Sequence, residues 1–407
     1  MRSASFFFLS LISLHGLSQT FGCRDPLAFN FQASATLPDG SCQYASTSVQ
    51  PAVKFTNLPA NLRETSGLLL IGQYLYSVND AGNFNLIQKI DTSSGQVVVQ
   101  IPVLGMSNND WEALTMDNEY VYIGDFGNNE GIRTNLRVIN IATSLLVAAG
   151  ASGVQGEVIN FSYMDQGSFD VSTSHNFDCE AFVAQGDSLH LFTKNRSNFF
   201  TKHYKLSKNP GQHRAYLKDS LFVGGQVTDA ALHPNRNELA FVGYVPNSVS
   251  VFSYLLFGYE GDSFFSTNKR RLELPNVTIS GQTEGICYTP SGKWFISNEY
   301  INAAIPAKIS SFNPGAFVNS YFLLSDAKPK KISSQNIKIF QKQGKIEIES
   351  ESELRRARLL DVAGKSIFEI PLQGRSGEFF YPGNFSGIFL LEVSNLHGVS
   401  HQRICLF

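Results

Sequence analysis

Oxygen-bearing side chains recur along the middle of this sequence, and their placing suggests chemistry. Asp110, Glu112, Asp125, Asp178, Glu180 and Glu284 each stand where a short apolar run begins or ends. If the fold gathers them, they form the kind of oxygen-rich site that a hard cation takes, and calcium is the expected metal. Asn128 and Asn129 would add neutral oxygen donors, while Glu64, Asp80, Asp229 and Glu299 occupy matching places and extend the set into a ligand-binding rim. A bound ion would polarise a substrate and activate water, with Arg133, Lys194 or Arg196 holding an anionic group. The competing use is structural: the same acids cap strand-end amides and pair with those three basic residues. Trp111 divides in the same way, between packing in the core and stacking on a sugar or aromatic ligand.

The elements that must position these residues repeat five times. Glu64-Thr65-Ser66-Gly67-Leu68 leads to Asn79-Asp80, Asp110-Trp111-Glu112-Ala113-Leu114 to Gly124-Asp125, and Asp178-Cys179-Glu180-Ala181-Phe182 to Lys194-Asn195. Thr228-Asp229-Ala230-Ala231 leads to Gly243-Tyr244, and Thr283-Glu284-Gly285-Ile286 to Asn298-Glu299. With Ser66, Glu112, Glu180, Asp229 and Glu284 taken as equivalent, the offsets are 46, 68, 49 and 55, the period range of propeller blades. Between the two halves of each repeat lie turn residues such as Gly72-Gln73, Asp117-Asn118 and Gly186-Asp187, so each repeat reads as an antiparallel hairpin. The start of one strand and the end of the next then sit side by side. All five acidic starts and all five polar ends should therefore converge on one rim around a central channel.

A five- or six-bladed β-propeller over residues 52–325 follows, in an all-β chain; the 68-residue offset leaves room for a degenerate blade or an insertion around Gly150 to Ser174. Ala52 to Phe55 is expected to close the ring by pairing with strands between Ser310 and Leu323, because closure removes exposed edges. The 407 residues, 12% aromatic and 43% apolar, supply ample core. A net charge of −2 with no basic stripe argues against a nucleic-acid partner. No Gly-x-Ser-x-Gly elbow and no His-Glu-x-x-His motif occurs, and the eight histidines are scattered.

Residues 1–19 read as a secretory signal peptide, Arg2 followed by an apolar stretch from Phe6 to Leu17 that is too short to span a bilayer. No later segment reaches that apolar length, so no transmembrane segment is expected in the mature chain. Gly22-Cys23-Arg24-Asp25-Pro26 with Asp39-Gly40-Ser41-Cys42 resembles a small module of secreted Bacteroidetes proteins, and the resemblance implies a Cys23–Cys42 disulfide that staples residues 20–45. Cys179 and Cys287 are expected as buried free thiols, with the pairing of Cys405 open.

After a Lys/Pro/Ser linker at 326–334, residues 335–407 alternate as in a small β-sandwich. Leu360-Asp361-Val362-Ala363-Gly364-Lys365 and Gly387-Ile388-Phe389-Leu390-Leu391 resemble strands of the C-terminal sorting domain of type IX secretion, although the Tyr-Pro-Asn-Pro turn of that family is absent. The propeller repeats resemble secreted Bacteroidetes propellers found beside such domains, and more loosely the esterase-like phytase and gluconolactonase-type propellers. Together these resemblances imply a secreted or cell-surface binding protein, exported through the periplasm by the type IX machinery, with a calcium-dependent phosphoesterase or lactonase as the alternative.

Overall fold

Tyr120-Val121-Tyr122-Ile123 joins β-branched and aromatic residues, which fit a pleated, half-buried surface. It forms the strand Tyr120–Asp125, hydrogen-bonded to Trp111–Met116 on one side and Arg137–Ala142 on the other. The same construction repeats around the computed structural model of the chain, which describes residues 20–325, 337–342, 345–350, 353–361, 366–381, 387–395 and 398–406. The expected signal peptide (1–19) and linker (326–334) lie outside these residues, as does the Val362 to Lys365 part of the sorting-like motif.

Five four-stranded blades make a β-propeller. Blade 1 runs Thr65–Ile71, Tyr74–Asn79, Leu86–Asp91, Val97–Leu104, and blade 2 runs Trp111–Met116, Tyr120–Asp125, Arg137–Ala142, Glu157–Tyr163. Blade 3 is Cys179–Gln185, Ser188–Thr193, Phe200–Ser207, Gly211–Phe222, and blade 4 is Gln226–Leu232, Glu238–Tyr244, Val251–Phe257, Asn268–Leu274. Blade 5 takes Thr283–Tyr288, Trp294–Asn298 and Lys308–Phe312 from late in the chain and Ala52–Thr56 from its start. That last pairing, Ser310 opposite Val53 and Ser311 opposite Ala52, closes the ring as expected. The closing strand ends sooner than expected, because Gly315–Ser325 is a helix that buries Val318 and Tyr321 against blades 4 and 5.

Five apolar clusters lie between neighbouring blades and supply the burial that holds the disc together. Trp111 is fully buried in one of them, its Nε1 donating to Ser107 O at 3.2 Å, so its side chain is core. The long offset between blades 2 and 3 holds the helix Thr143–Ala148 and the outer strand of blade 2, with no sixth blade among the described residues.

The N-terminal module is stapled by the Cys23–Cys42 disulfide and docks on blade 4. Asp25, fully buried, accepts from Tyr44 Oη at 2.8 Å, while the Arg270 guanidinium lies over the Tyr44 ring. Cys179 and Cys287 are buried free thiols. The C-terminal region forms two small sheets around Ile346, Leu359, Leu391 and Val393, a β-sandwich as expected. Among the described residues no helix is long and apolar enough to cross a membrane.

Candidate functional site: the acidic channel mouth

Each hairpin brings the start of its inner strand beside the end of the second: Thr65 faces Asn79, Trp111 faces Asp125, Cys179 faces Thr193, Gln226 faces Tyr244 and Thr283 faces Asn298. The polar clusters of all five blades thus share one end of the channel. Just inside that end every inner strand carries a β-bulge, where the ladder skips Gly67, Glu112, Glu180, Thr228 and Glu284. A bulge inserts an unpaired residue and re-aims its side chain. The equivalence of blades 1 and 4 is thereby corrected by one residue, from Ser66 to Gly67 and from Asp229 to Thr228. Three blades place a glutamate at this position, and these buried carboxylates lie close enough to act on one another, Glu180 on Glu112 and Glu284 on Glu180.

The expected rim residues divide by their partners. Asp125, fully buried, receives Arg133 Nη2 at 2.9 Å and Arg137 Nε at 2.8 Å, and the Asp110 amide donates to it at 3.1 Å. Asp178 receives Arg196 Nε at 2.7 Å and the Asn128 amide at 2.7 Å. Asp229 accepts from the Ala230 amide and, across to blade 5, from the Ile286 amide at 2.7 Å. These three aspartates fasten backbone and neighbouring blades. Asn128 is likewise engaged, accepting from the Arg133 amide at 2.9 Å and donating to Phe177 O at 3.1 Å, and Asn129 accepts from Arg196. Glu64 is exposed and accepts from Asn83.

The remaining acids line the mouth with far less compensation. On one side, Lys194 Nζ sits 3.1 Å from Glu180 Oε2 and 5.5 Å from the centre of the Tyr244 ring, and Gln282 donates to Glu284 at 2.6 Å. Burial would discharge this ammonium, but Glu180 and Glu284 hold its pKa well above the usual value. On the other side, one oxygen each from Asp80, Asp110 and Glu112 lie within 4.8 Å of one another. Arg133 Nη1 reaches only to 4.0 Å of Asp110 Oδ2, and Asp110 Oδ1 is buried with no hydrogen-bond partner.

The electrostatics follow this division. Burial pushes Asp110 up to about 7, reinforced by the adjacent Asp80 carboxylate. Burial likewise raises Glu112 well above its ordinary value, and Glu180, Asp80 and Asp110 add to the rise. Glu299, half-buried at the blade 5 end, is pushed up to about 9 by burial and then by Glu284 and Asp80. Carboxyls whose pKa is raised by burial and by one another are ones from which a bound cation would displace protons, because it stabilises their ionised form.

Two residues outside the expected set shape the site. Arg137 stands opposite Asp125 in the ladder, a cross-strand pairing invisible before the register is known. Gly127 passes so close that a Cβ on it would collide with Glu112 Oε1 and Asp110 Oδ2. Its signal in the sequence is the Asp125-Phe126-Gly127-Asn128-Asn129 run that follows the second strand of blade 2.

No family model and no curated protein sequence matches the chain. Among solved structures it is similar to Myxococcus xanthus glutaminyl cyclase, with 11% identity over 66% of this chain and 97% of that one and a TM-score of 0.41. It is also similar to the exo-β-1,3-galactanase of Phanerochaete chrysosporium, with 10% identity over 90% and 91% of the two chains and a TM-score of 0.39. The Cps50 (Swd1) β-propeller domain of Myceliophthora thermophila gives 9% identity over 86% and 98%, with a TM-score of 0.34. These are likenesses of overall fold alone.

Proposed function

We propose that this protein is an exported binding module whose channel mouth holds a hard divalent cation, calcium in the first place, on the side formed by Asp80, Asp110 and Glu112. The observation that carries this reading is the buried, unpartnered Asp110 Oδ1 beside two further carboxylates, all within 4.8 Å. Burial and mutual repulsion work against ionising Asp110 and Glu112, and an ion bound among the three carboxylates would offset that cost. Lys194 already plays the corresponding part for Glu180.

The hydrolase reading, a phosphoesterase or lactonase at the same rim, asks for a cationic group free to receive an anionic substrate. Arg133, Lys194 and Arg196 are each held by a carboxylate, which favours binding over catalysis. The ligand presented to such a site is therefore neutral or cationic, or reaches the metal directly.

Thermal unfolding in calcium and in chelator tests the proposal. A ligand present at about a hundred times its Kd stabilises by about 2.7 kcal/mol, so calcium should raise the melting temperature of the unmodified protein and leave Asp110→Asn and Glu112→Gln unmoved. Equal melting in both conditions for the unmodified protein would remove the metal and, with it, the hydrolase reading.

Export by the type IX machinery rests on the signal-like leader, the stapled cysteines and the sorting-like strands of the C-terminal sandwich. Deletion of residues 335–407 should strand the protein in the periplasm; unchanged secretion would refute the assignment.

A further inference from the structure

Blades 2 and 3 are joined in a way that no other pair of blades is among the described residues. The outer strand of blade 2, Glu157–Tyr163, pairs in parallel with the outer strand of blade 3, Gly211–Phe222, through Ile159 opposite Gly211 to Tyr163 opposite Ala215. The two blades therefore form one eight-stranded sheet. Their inner strands meet as well, the Ala184 amide donating to Thr115 Oγ1 at 3.2 Å, so the sheet curls back on itself almost as a barrel. Tyr122, Phe161, Tyr204 and Leu206 help to fill its interior.

The filling stops short of the end away from the acidic mouth. There the hairpin turns of both blades ring an open cleft of about 1050 Å³. Mouths of barrels are recurrent places for small-ligand sites. The cleft is separate from the channel mouth, since its walls are the turns at the far ends of the hairpins.

The lining groups select the ligand class. Lys208 donates to Asp117 Oδ2 at 2.7 Å and to Gly186 O at 2.9 Å, and Lys205 lies 3.3 Å from Asp262, so neither ammonium is free for an anion. The grouping of three carboxylates close enough for a metal, among the described residues, is the one at the opposite mouth. What the cleft offers instead is ring surface and amide. Tyr216 is 44% exposed and Tyr120 half-buried on its wall. Asn140 is only 4% exposed; its Oδ1 accepts from the Glu157 amide at 3.2 Å, and its Nδ2 has no protein acceptor among the described residues. That amide donor is open to an acceptor from outside, and on the same wall Gln185 Oε1 is buried without a hydrogen-bond partner.

We propose that this cleft is a second binding site, for a neutral carbohydrate, whose ring face lies on Tyr120 or Tyr216 while its hydroxyls meet Asn140, Gln185 and the lining carboxylates of Glu119, Glu157 and Asp187. A sugar ring combines an apolar C–H face with a rim of donors and acceptors, which matches tyrosine faces interleaved with amide and carboxylate groups. A cleft of this volume accommodates several linked rings.

Native gels cast with neutral glucan, mannan, xylan or galactan read the interaction, followed by calorimetry with the hexasaccharide of whichever polymer retards the protein. At least one neutral polymer should slow the unmodified protein, and Tyr216→Ala or Tyr120→Ala should weaken binding by about threefold to tenfold, the range of aromatic contacts. Tyr216 is exposed and Tyr120 half-buried against the core, so the melting temperature of each variant checks that it folds. Asp110→Asn, at the other mouth, should bind the polymer as the unmodified protein does, in calcium or in chelator. Retention by none of the polymers, retention that survives the double tyrosine variant, or retention lost in Asp110→Asn would each overturn the proposal.

Discussion

His190 and His203 lie buried between blades 3 and 4, 1% and 0% exposed, among Phe192, Phe264 and Phe265. His203 Nδ1 donates to Asp219 Oδ1 at 2.9 Å, which leaves His203 Nε2 to accept from His190 Nδ1 at 2.9 Å. Burial, and then the neighbouring His203, push the His190 pKa from 6.5 down to about 3. A proton is therefore taken up by the unfolded chain long before the folded one. Stability from this residue is complete above pH 6.5 and is lost as the pH falls from there towards 3. At pH 4 the unfolded chain has gained about 3 kcal/mol relative to pH 7 through this group, since each pKa unit is worth about 1.4 kcal/mol. Urea unfolding at pH 7 and pH 4, read by the fluorescence of the buried Trp111 and Trp294, measures the difference. His190→Leu strands His203 Nε2 and should cost about 1–3 kcal/mol at pH 7. The variant should then lose about 3 kcal/mol less than the unmodified protein between the two pH values. Equal losses would refute the reasoning, because every other titrating group is common to both proteins.

Gly127→Ala should leave the propeller folded but at least halve the calcium-induced rise in melting temperature, since the new methyl displaces the Glu112 and Asp110 carboxylates. Asp125→Ala leaves Arg133 and Arg137, 15% and 18% exposed, without their shared partner and should cost about 3 kcal/mol by urea unfolding, with Asp125→Asn milder because it keeps hydrogen bonds. Asp25→Ala removes the acceptor of Tyr44 and of the Leu27 amide and should release the N-terminal module, seen as faster hydrogen exchange in residues 20–45 with blades 1 to 3 unchanged.

The propeller was legible in the sequence because its hairpins are local. Glu112 to Asp125 and Glu284 to Asn298 are short stretches in which apolar alternation, turn residues and strand length all agree. The stapled module was readable from the motif it resembles, and the closing strand Ala52–Thr56, although it pairs across the whole propeller sequence, from the need to cover an exposed sheet edge. The convergence of acids on one rim followed as well, since it needs only antiparallel pairing and rotation about an axis.

What only the tertiary structure decided is which of those acids are already compensated. Asp125 and Asp178 look like Asp80 and Asp110 in sequence, yet the first two are met by arginines whose side chains arrive from other strands and loops. The bulges that skip Gly67 and Thr228 moved the equivalence by one residue in two blades, and a one-residue shift in a strand turns a side chain to the other face. The parallel pairing of Glu157–Tyr163 with Gly211–Phe222 joins segments some fifty residues apart and leaves no mark in either one. Strand formation is governed by neighbours along the chain. Charge compensation, and the cleft between two fused blades, are governed by neighbours in space, which the order of residues does not specify until the blades have closed.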